Sequence, residues 1–240
     1  PLLLKQNITD ISCDDSNGTY TVSAENSLFK AKKLVIATGG MSYTKTGSDG
    51  SLYPLIEKLG IQMIPARPAL VPIYTHSYGY KSLSGISFKA VLVRLLENNR
   101  EIIAQTGDIL LTHRAFSGPA ILDISRYADK GHKLEINYIY PVTGQRAADM
   151  IKADFQGNSR ELHTYISRIF KIPDAFAVKL IENAGICPYM KTSCTEGDEI
   201  TKIAEALTCH RYAVSGTGSF SEAMVTAGGV SLDEVNLRNM

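Results

Sequence analysis

The 240-residue chain has almost no charge excess: 25 lysines and arginines stand against 24 aspartates and glutamates, a formal net charge of +1. That balance supplies no basic stripe of the kind nucleic-acid binding draws on, so nucleic acid is not an expected partner. No apolar run approaches the roughly 18 residues of a membrane span. The N-terminal Pro1-Leu2-Leu3-Leu4 is too short for the apolar region of a signal peptide and has no basic flank. A cytoplasmic location without membrane association is therefore expected. Cysteine is sparse: Cys13, Cys187, Cys194 and Cys209 show no Cys-x-x-Cys spacing and no nearby histidine pair. That argues against a zinc site, and free thiols with no metal are expected.

Nucleotide-binding loops are missing as well. Gly47-Ser48-Asp49-Gly50 lacks the Lys-Ser/Thr ending of a P-loop. Gly216-Thr217-Gly218-Ser219-Phe220-Ser221 places Ser221 where the third glycine of GxGxxG belongs, and no strand–helix unit of the required length follows. No internal repeat or low-complexity segment is present, and no Ser–His–Asp or Cys–His arrangement can be read from spacing.

What is present is an ordinary globular composition, 44% hydrophobic and 20% charged, in a chain long enough to bury a core in one or two domains. Residues 1–64 read as strands and turns. Leu2–Ser12 is apolar and extended, Asp14-Asp15-Ser16-Asn17-Gly18 is a turn cluster, and Tyr20–Ala24 alternates. Lys33–Ala37 is a short apolar run ending in Thr38-Gly39-Gly40, which predicts a buried strand. Leu52, Leu55, Ile56 and Leu59 fall at helical spacing, with Gly60 as the stop.

From Pro65 the character changes. Residues 65–147 are expected to form a β-rich domain, with Pro65, Pro68 and Pro72 excluding helix at its entry. Ile86, Phe88, Ala90 and Leu92 alternate, and Glu101–Gln105, Asp108–Thr112 and His132–Tyr140 read as further strands. Several short strands in succession suggest an antiparallel sheet or barrel. One helix interrupts them, with Ser117 as N-cap and Pro119 in its first turn. Residues 148–207 form a helical block, in which Leu162, Ile166 and Ile169 share a face, as do Ala177, Leu180, Ile181 and Ala184, and Ile200, Ile203, Ala204 and Leu207. Glu196, Asp198 and Glu199 suit a helix start. Residues 208–225 return to strands, and 226–240 lead back toward the first region.

Three places carry chemical interest. Thr38-Gly39-Gly40 lets backbone approach a flat or phosphorylated ligand closely, although any strand-to-helix turn also uses such a pair. Thr226 with Gly228-Gly229-Val230 carries the same two readings. His113-Arg114 follows an apolar strand and precedes Ser117-Gly118-Pro119. The histidine there suits proton transfer and the arginine suits an anionic substrate group, while capping a loop or pairing with acidic neighbours is the plainer role.

In order, LVIATGGMSYTKTG, RPALVPI, GDILLTHRAFSGPAILDIS and AMVTAGGVSLDEV resemble the bacterial HI0933-like (BaiN-like) flavoprotein family of NAD(P)/FAD-dependent oxidoreductases, from Lys33 to Met240. The resemblance implies a mixed α+β fold: strands of a two-dinucleotide-binding FAD domain, framing an inserted antiparallel barrel with a small helical subdomain. It implies FAD as cofactor and NAD(P)H as hydride source for a small-molecule substrate. By it, Thr38, Gly39, Gly40, Ser42, Thr226, Gly228, Gly229 and Val230 would approach the flavin, and His113 and Arg114 would face the cleft.

Two departures stand out. Thr44 replaces the family's usual proline before Lys-Thr-Gly, and Asp49-Gly50-Ser51-Leu52 replaces a glycine-rich continuation. The N-terminal GxGxxG unit, its acidic ribose ligand and a C-terminal glycine-rich segment are absent. The chain is therefore expected to be an internal fragment that needs the missing N- and C-terminal segments of its parent as partners and that binds FAD poorly alone. A non-catalytic ligand- or partner-binding domain and a flavin-dependent RNA-modifying enzyme are the alternatives.

Overall fold

The computed structural model describes residues 2–14, 16–153 and 159–238. It divides into two compact units: Pro1–Ala69 with Ser219–Met240, and Leu70–Gly218.

The first unit opens with a three-stranded antiparallel meander, β1 (Ile8–Asp14), β2 (Thr19–Ala24) and β3 (Ser27–Ala31). Its first turn forms because the Asp14 carboxylate accepts from the Ser16 backbone N–H at 3.0 Å while Gly18 takes the left-handed conformation at φ 63°. Helix α1 (Tyr53–Lys58) buries Ile56, and Gly60 follows it at φ 81°, as the spacing indicates. Strand β4 (Met63–Ala69) pairs with β11 (Val225–Val230) in a separate two-stranded sheet. Pro65 and Pro68 sit in this outer strand, where a missing donor is tolerated. Residues 65–69 are the second part of β4 and pair with β11 within the first unit.

The buried strand expected at Lys33–Ala37 does not form. Residues 34–40 have no regular secondary structure and, among the described residues, pair with no strand, and Val35 is 85% exposed. An apolar run becomes a buried strand only where other strands flank it.

The second unit is a closed six-stranded barrel in the order β10-β5-β8-β7-β6-β9, every pairing antiparallel. Its strands are β5 (Ile73–Thr75), β6 (Ser87–Glu97), β7 (Arg100–Leu111), β8 (Phe116–Ser117), β9 (Lys133–Asn137) and β10 (His210–Thr217). The two strands expected at 101–105 and 108–112 are one continuous β7. In β6 the alternation expected through Ala90 and Leu92 is broken, because a bulge between Phe88 and Val91 shifts the register. Phe88 is buried before it, and Val91, Val93 and Leu95 point inward after it.

Helix α2 (Pro119–Ile124) starts one residue later than expected. Gly118 rather than Ser117 is the cap, at φ 91°, where an added Cβ would lie 2.8 Å from the Ile109 Cα. The helical block comprises α3 (Gly144–Ala153), α4 (Leu162–Phe170), α5 (Asp174–Asn183) and α6 (Gly197–Thr208). Glu196 caps α6, its backbone N–H donating to the Glu199 carboxylate at 2.8 Å. Ile200, Ile203, Ala204 and Leu207 form the buried face of α6, each large aliphatic side chain contributing about 1.5–3 kcal/mol.

Phe176 of α5 inserts among barrel aromatics. Its ring lies 4.5 Å from Phe88 and 4.8 Å from Tyr138, and stacks on Tyr80 at 5.4 Å. Beneath it the Tyr212 hydroxyl bonds both Tyr80 (2.9 Å) and Tyr138 (2.7 Å), so three buried phenols satisfy one another. His163 is buried. Its two ring nitrogens face Asp174 at 2.9 Å and Glu161 at 3.0 Å, which ties the start of α4 to that of α5.

Candidate functional site

The two glycine pairs, almost 190 residues apart in sequence, line one cavity of the first unit. It has a volume of about 510 Å³ and is walled by Thr38, Gly39, Gly40, Ser42, Thr226, Gly228, Gly229 and Val230, together with Tyr43, Ser48, Met63 and Met224. All eight cofactor-binding candidates from the sequence therefore surround the same space.

Thr226 holds the two segments together. Its Oγ1 accepts from the backbone N–H of Met41 at 2.7 Å and of Ser42 at 3.1 Å, and the Ser42 hydroxyl lies at 3.1 Å. These bonds satisfy donors of a loop that has no regular structure of its own. They also explain Gly40: a Cβ there would come within 2.5 Å of the Thr226 hydroxyl oxygen. Gly228 is fixed from the other side, at φ 89° and with an added Cβ only 2.5 Å from the Pro65 carbonyl, where the β4–β11 register shifts. Gly229 differs. At φ 104° its missing side chain would meet nothing within 4 Å, so its constraint is conformational and the space beside it stays open.

Sequence reasoning missed Tyr43, which follows Ser42 in the left-handed conformation (φ 60°) and is 62% exposed. It missed the two methionine walls as well. The loop whose sequence departs from the resemblance, Thr46–Leu52, rims a second hollow of about 450 Å³ that shares Thr38 and Gly39. Hydrogen bonds from Ser51 hold the Asp49 carboxyl there below the usual carboxylate range.

The cavity wall fits part of a flavin by its chemistry. Glycines leave backbone open to a flat ring, hydroxyls of Thr38 and Ser42 offer hydrogen bonds, and methionines supply polarisable apolar contact.

His113 and Arg114 belong to the second unit. Both are exposed on a turn organised by Thr112, whose hydroxyl donates to the Ala115 carbonyl at 2.8 Å and accepts from the Ala115 N–H at 3.0 Å. The Arg114 guanidinium lies 5.7 Å over the Tyr74 ring. The histidine whose environment is unusual is instead His210: burial lowers its pKa, and it stacks on Tyr212 at 4.4 Å. Among the described residues no group of three or more His, Cys, Asp or Glu side chains is arranged to hold a metal ion. No helix among them is long and apolar enough to cross a membrane.

Comparison with known proteins finds curated relatives, among them the following three. A ribosomal RNA dihydrouridine synthase of Escherichia coli (strain K12) is 27% identical over 240 residues, covering 99% of this chain and 57% of that protein. Its namesake in Haemophilus influenzae (strain ATCC 51907 / DSM 11121 / KW20 / Rd) is 25% identical over 245 residues, 100% of this chain and 58% of that protein. A 3-dehydro-bile acid delta(4,6)-reductase of Clostridium scindens (strain ATCC 35704 / DSM 5676 / VPI 13733 / 19) is 25% identical over 228 residues, 90% of this chain and 54% of that protein. The chain thus spans little more than half the length of these relatives. The family model described as the HI0933-like protein barrel and H2TH domain matches residues 67–225, which takes in the whole six-stranded barrel and the four helices α3–α6. The chain belongs to the HI0933-like family.

Proposed function

We propose that this chain is part of a flavin-dependent oxidoreductase that reduces a carbon–carbon double bond of an organic substrate, with FAD as cofactor and NADH or NADPH as hydride source. The observation that carries this reading is the single cavity lined by both glycine pairs and closed by Thr226. The relatives' names agree in kind, since dihydrouridine formation and delta(4,6) reduction are each the saturation of a double bond.

A bound flavin would supply the hydride chemistry. The chain's residues bind and orient: Gly39, Gly40 and Gly229 admit the ring to the backbone, Thr38 and Ser42 offer hydroxyls, and Met63 and Met224 exclude water from its faces. Thr226 keeps the Met41–Ser42 backbone in place and so fixes where those groups stand. His113 and Arg114 are the candidates for proton donor and anion-binding group.

The exposed apolar segment Leu34–Gly40, with Val35 open to solvent, is the edge against which the remaining length found in the relatives would pack as partner strands. The test is a polypeptide carrying this chain together with that remaining length. The reading expects a flavin absorbance spectrum that bleaches anaerobically with NADH or NADPH and returns on addition of an unsaturated acceptor. A colourless preparation that takes up no added FAD would overturn it. The substrate class is the open choice. An RNA base is the alternative suggested by two relatives, although balanced charge gives it no electrostatic support. Salt-dependent RNA binding would favour it.

A further inference from the structure

The second unit holds a cavity that the flavin reading does not use. It has a volume of about 530 Å³ and lies where the start of β6, the segment after β9, and the α4–α5 turn converge. Most of the residues that line it are aliphatic or aromatic, Phe88, Tyr138, Tyr140 and Phe170 among them, while the surface they present is mixed polar and apolar. The Tyr138 hydroxyl lies 2.7 Å from that of Tyr212 and is engaged inside the barrel. Two cationic side chains, Lys89 and Lys171, complete the lining, and no carboxylate contributes to it.

Both lysines are presented by irregular backbone. Lys89 stands in the β6 bulge, whose next residue, Ala90, has φ 53° and donates its N–H to the Asp108 carboxylate at 3.1 Å. Bulges of this kind re-aim a side chain out of the regular alternation. Lys171 is itself left-handed at φ 53°, closing α4 where glycine is the usual choice. Its turn is locked by the Ser167 hydroxyl donating to the Ile172 carbonyl at 2.8 Å. Asp108 accepts from the Ala90 N–H, and Asp174 faces His163. Among the described residues, neither ammonium group forms an ion pair.

We infer that this cavity is a binding site for a small organic anion: a rigid apolar ring body lying against Phe88, Tyr138 and Phe170, with its carboxylate or sulfonate between Lys89 and Lys171. Two cations and no anion at the rim select the charge. The aliphatic and aromatic residues in the lining select an organic body over a simple inorganic ion. The site lies wholly within residues 70–218 and is independent of the flavin reading.

The probe is 8-anilinonaphthalene-1-sulfonate, titrated into the full chain with methyl-labelled methionines. The Met150 methyl reports this cavity, which Met150 also lines, and fluorescence gives the affinity. The expected result is a saturable shift of the Met150 methyl, with affinity at least about tenfold weaker in Lys89→Ala/Lys171→Ala and unchanged in Lys81→Ala. Lys171→Gly serves as a second variant, because glycine adopts that backbone conformation freely and a loss of binding there cannot come from unfolding. Sulfate alone should leave the methyl unmoved, and neutral 1-naphthol should bind more weakly than the sulfonate. An unmoved Met150 methyl, equal affinity in the lysine variants, or equal binding of 1-naphthol would each overturn the assignment.

Discussion

Replacing Thr226 with valine keeps the shape of the side chain and deletes one oxygen. That oxygen accepts from two backbone N–H groups, Met41 at 2.7 Å and Ser42 at 3.1 Å. A donor left unpaired away from water costs about 1–3 kcal/mol. Both donors are only partly buried, so solvent offsets part of the loss and the lower end applies, about 1 kcal/mol each and about 2 kcal/mol together. With two units in the chain, a single unfolding transition is an unsafe readout. Amide hydrogen exchange resolves the loop directly, and about 2 kcal/mol corresponds to roughly thirtyfold faster exchange at Met41 and Ser42. Thr226→Ser keeps the oxygen and should stay within about threefold of the parent. If both amides in Thr226→Val exchange within about threefold of the unsubstituted chain, the hydroxyl does not hold the two glycine segments together and the reasoning fails.

Gly228→Ala should destabilise the first unit well beyond Gly229→Ala. Both substitutions enter left-handed backbone, but only the first drives a methyl against a carbonyl, that of Pro65; equal acceleration of amide hydrogen exchange in β4 and β11 would contradict this. Phe176→Ala should cost the barrel unit about 3–5 kcal/mol, since a fully buried ring that touches Tyr80, Phe88 and Tyr138 leaves a cavity. Amide hydrogen exchange in the barrel strands within about threefold of the unsubstituted chain would speak against its place in that core. Burial pushes the Tyr80, Tyr138 and Tyr212 hydroxyls above their ordinary range. Because the folded state holds these protons more tightly, their contribution is complete below about pH 10, where unfolded tyrosine titrates, and is lost as pH rises beyond it. Spectrophotometric titration should show these phenols ionising only as the barrel unfolds, and their reversible ionisation in a folded barrel would refute the arrangement.

The helical block was legible because its apolar residues repeat every three or four positions and each such face did become buried, as Ile200, Ile203, Ala204 and Leu207 show. The barrel was legible as a succession of short strands, but its inward residues were not. The parity of β6 flips at a bulge held by Asp108 of the neighbouring strand, and no local pattern announces a partner on another strand. Ser117 resembled a cap by residue type, yet the tight approach of the Ile109 backbone gives that place to Gly118. Lys33–Ala37 is written as a buried strand, and only the surrounding sheet determines whether it becomes one. In the candidate site both glycine pairs stood out as points of close approach, while the reason for Gly40, the Thr226 hydroxyl, lies 186 positions away and is visible only in three dimensions. Tyr43 carried no signal, since nothing in its neighbours marks it for the left-handed conformation.

If these glycine segments form one wall of a flavin site, an isolated flavin ring should find it. The decisive measurement is an amide chemical-shift titration of this chain with riboflavin into the millimolar range, where a partial site still binds measurably. The prediction is a set of saturable shifts concentrated at Gly39, Gly40, Ser42, Gly228 and Gly229, weakened by Thr226→Val. Shifts confined to other residues, or none in that set at saturating riboflavin, would contradict it.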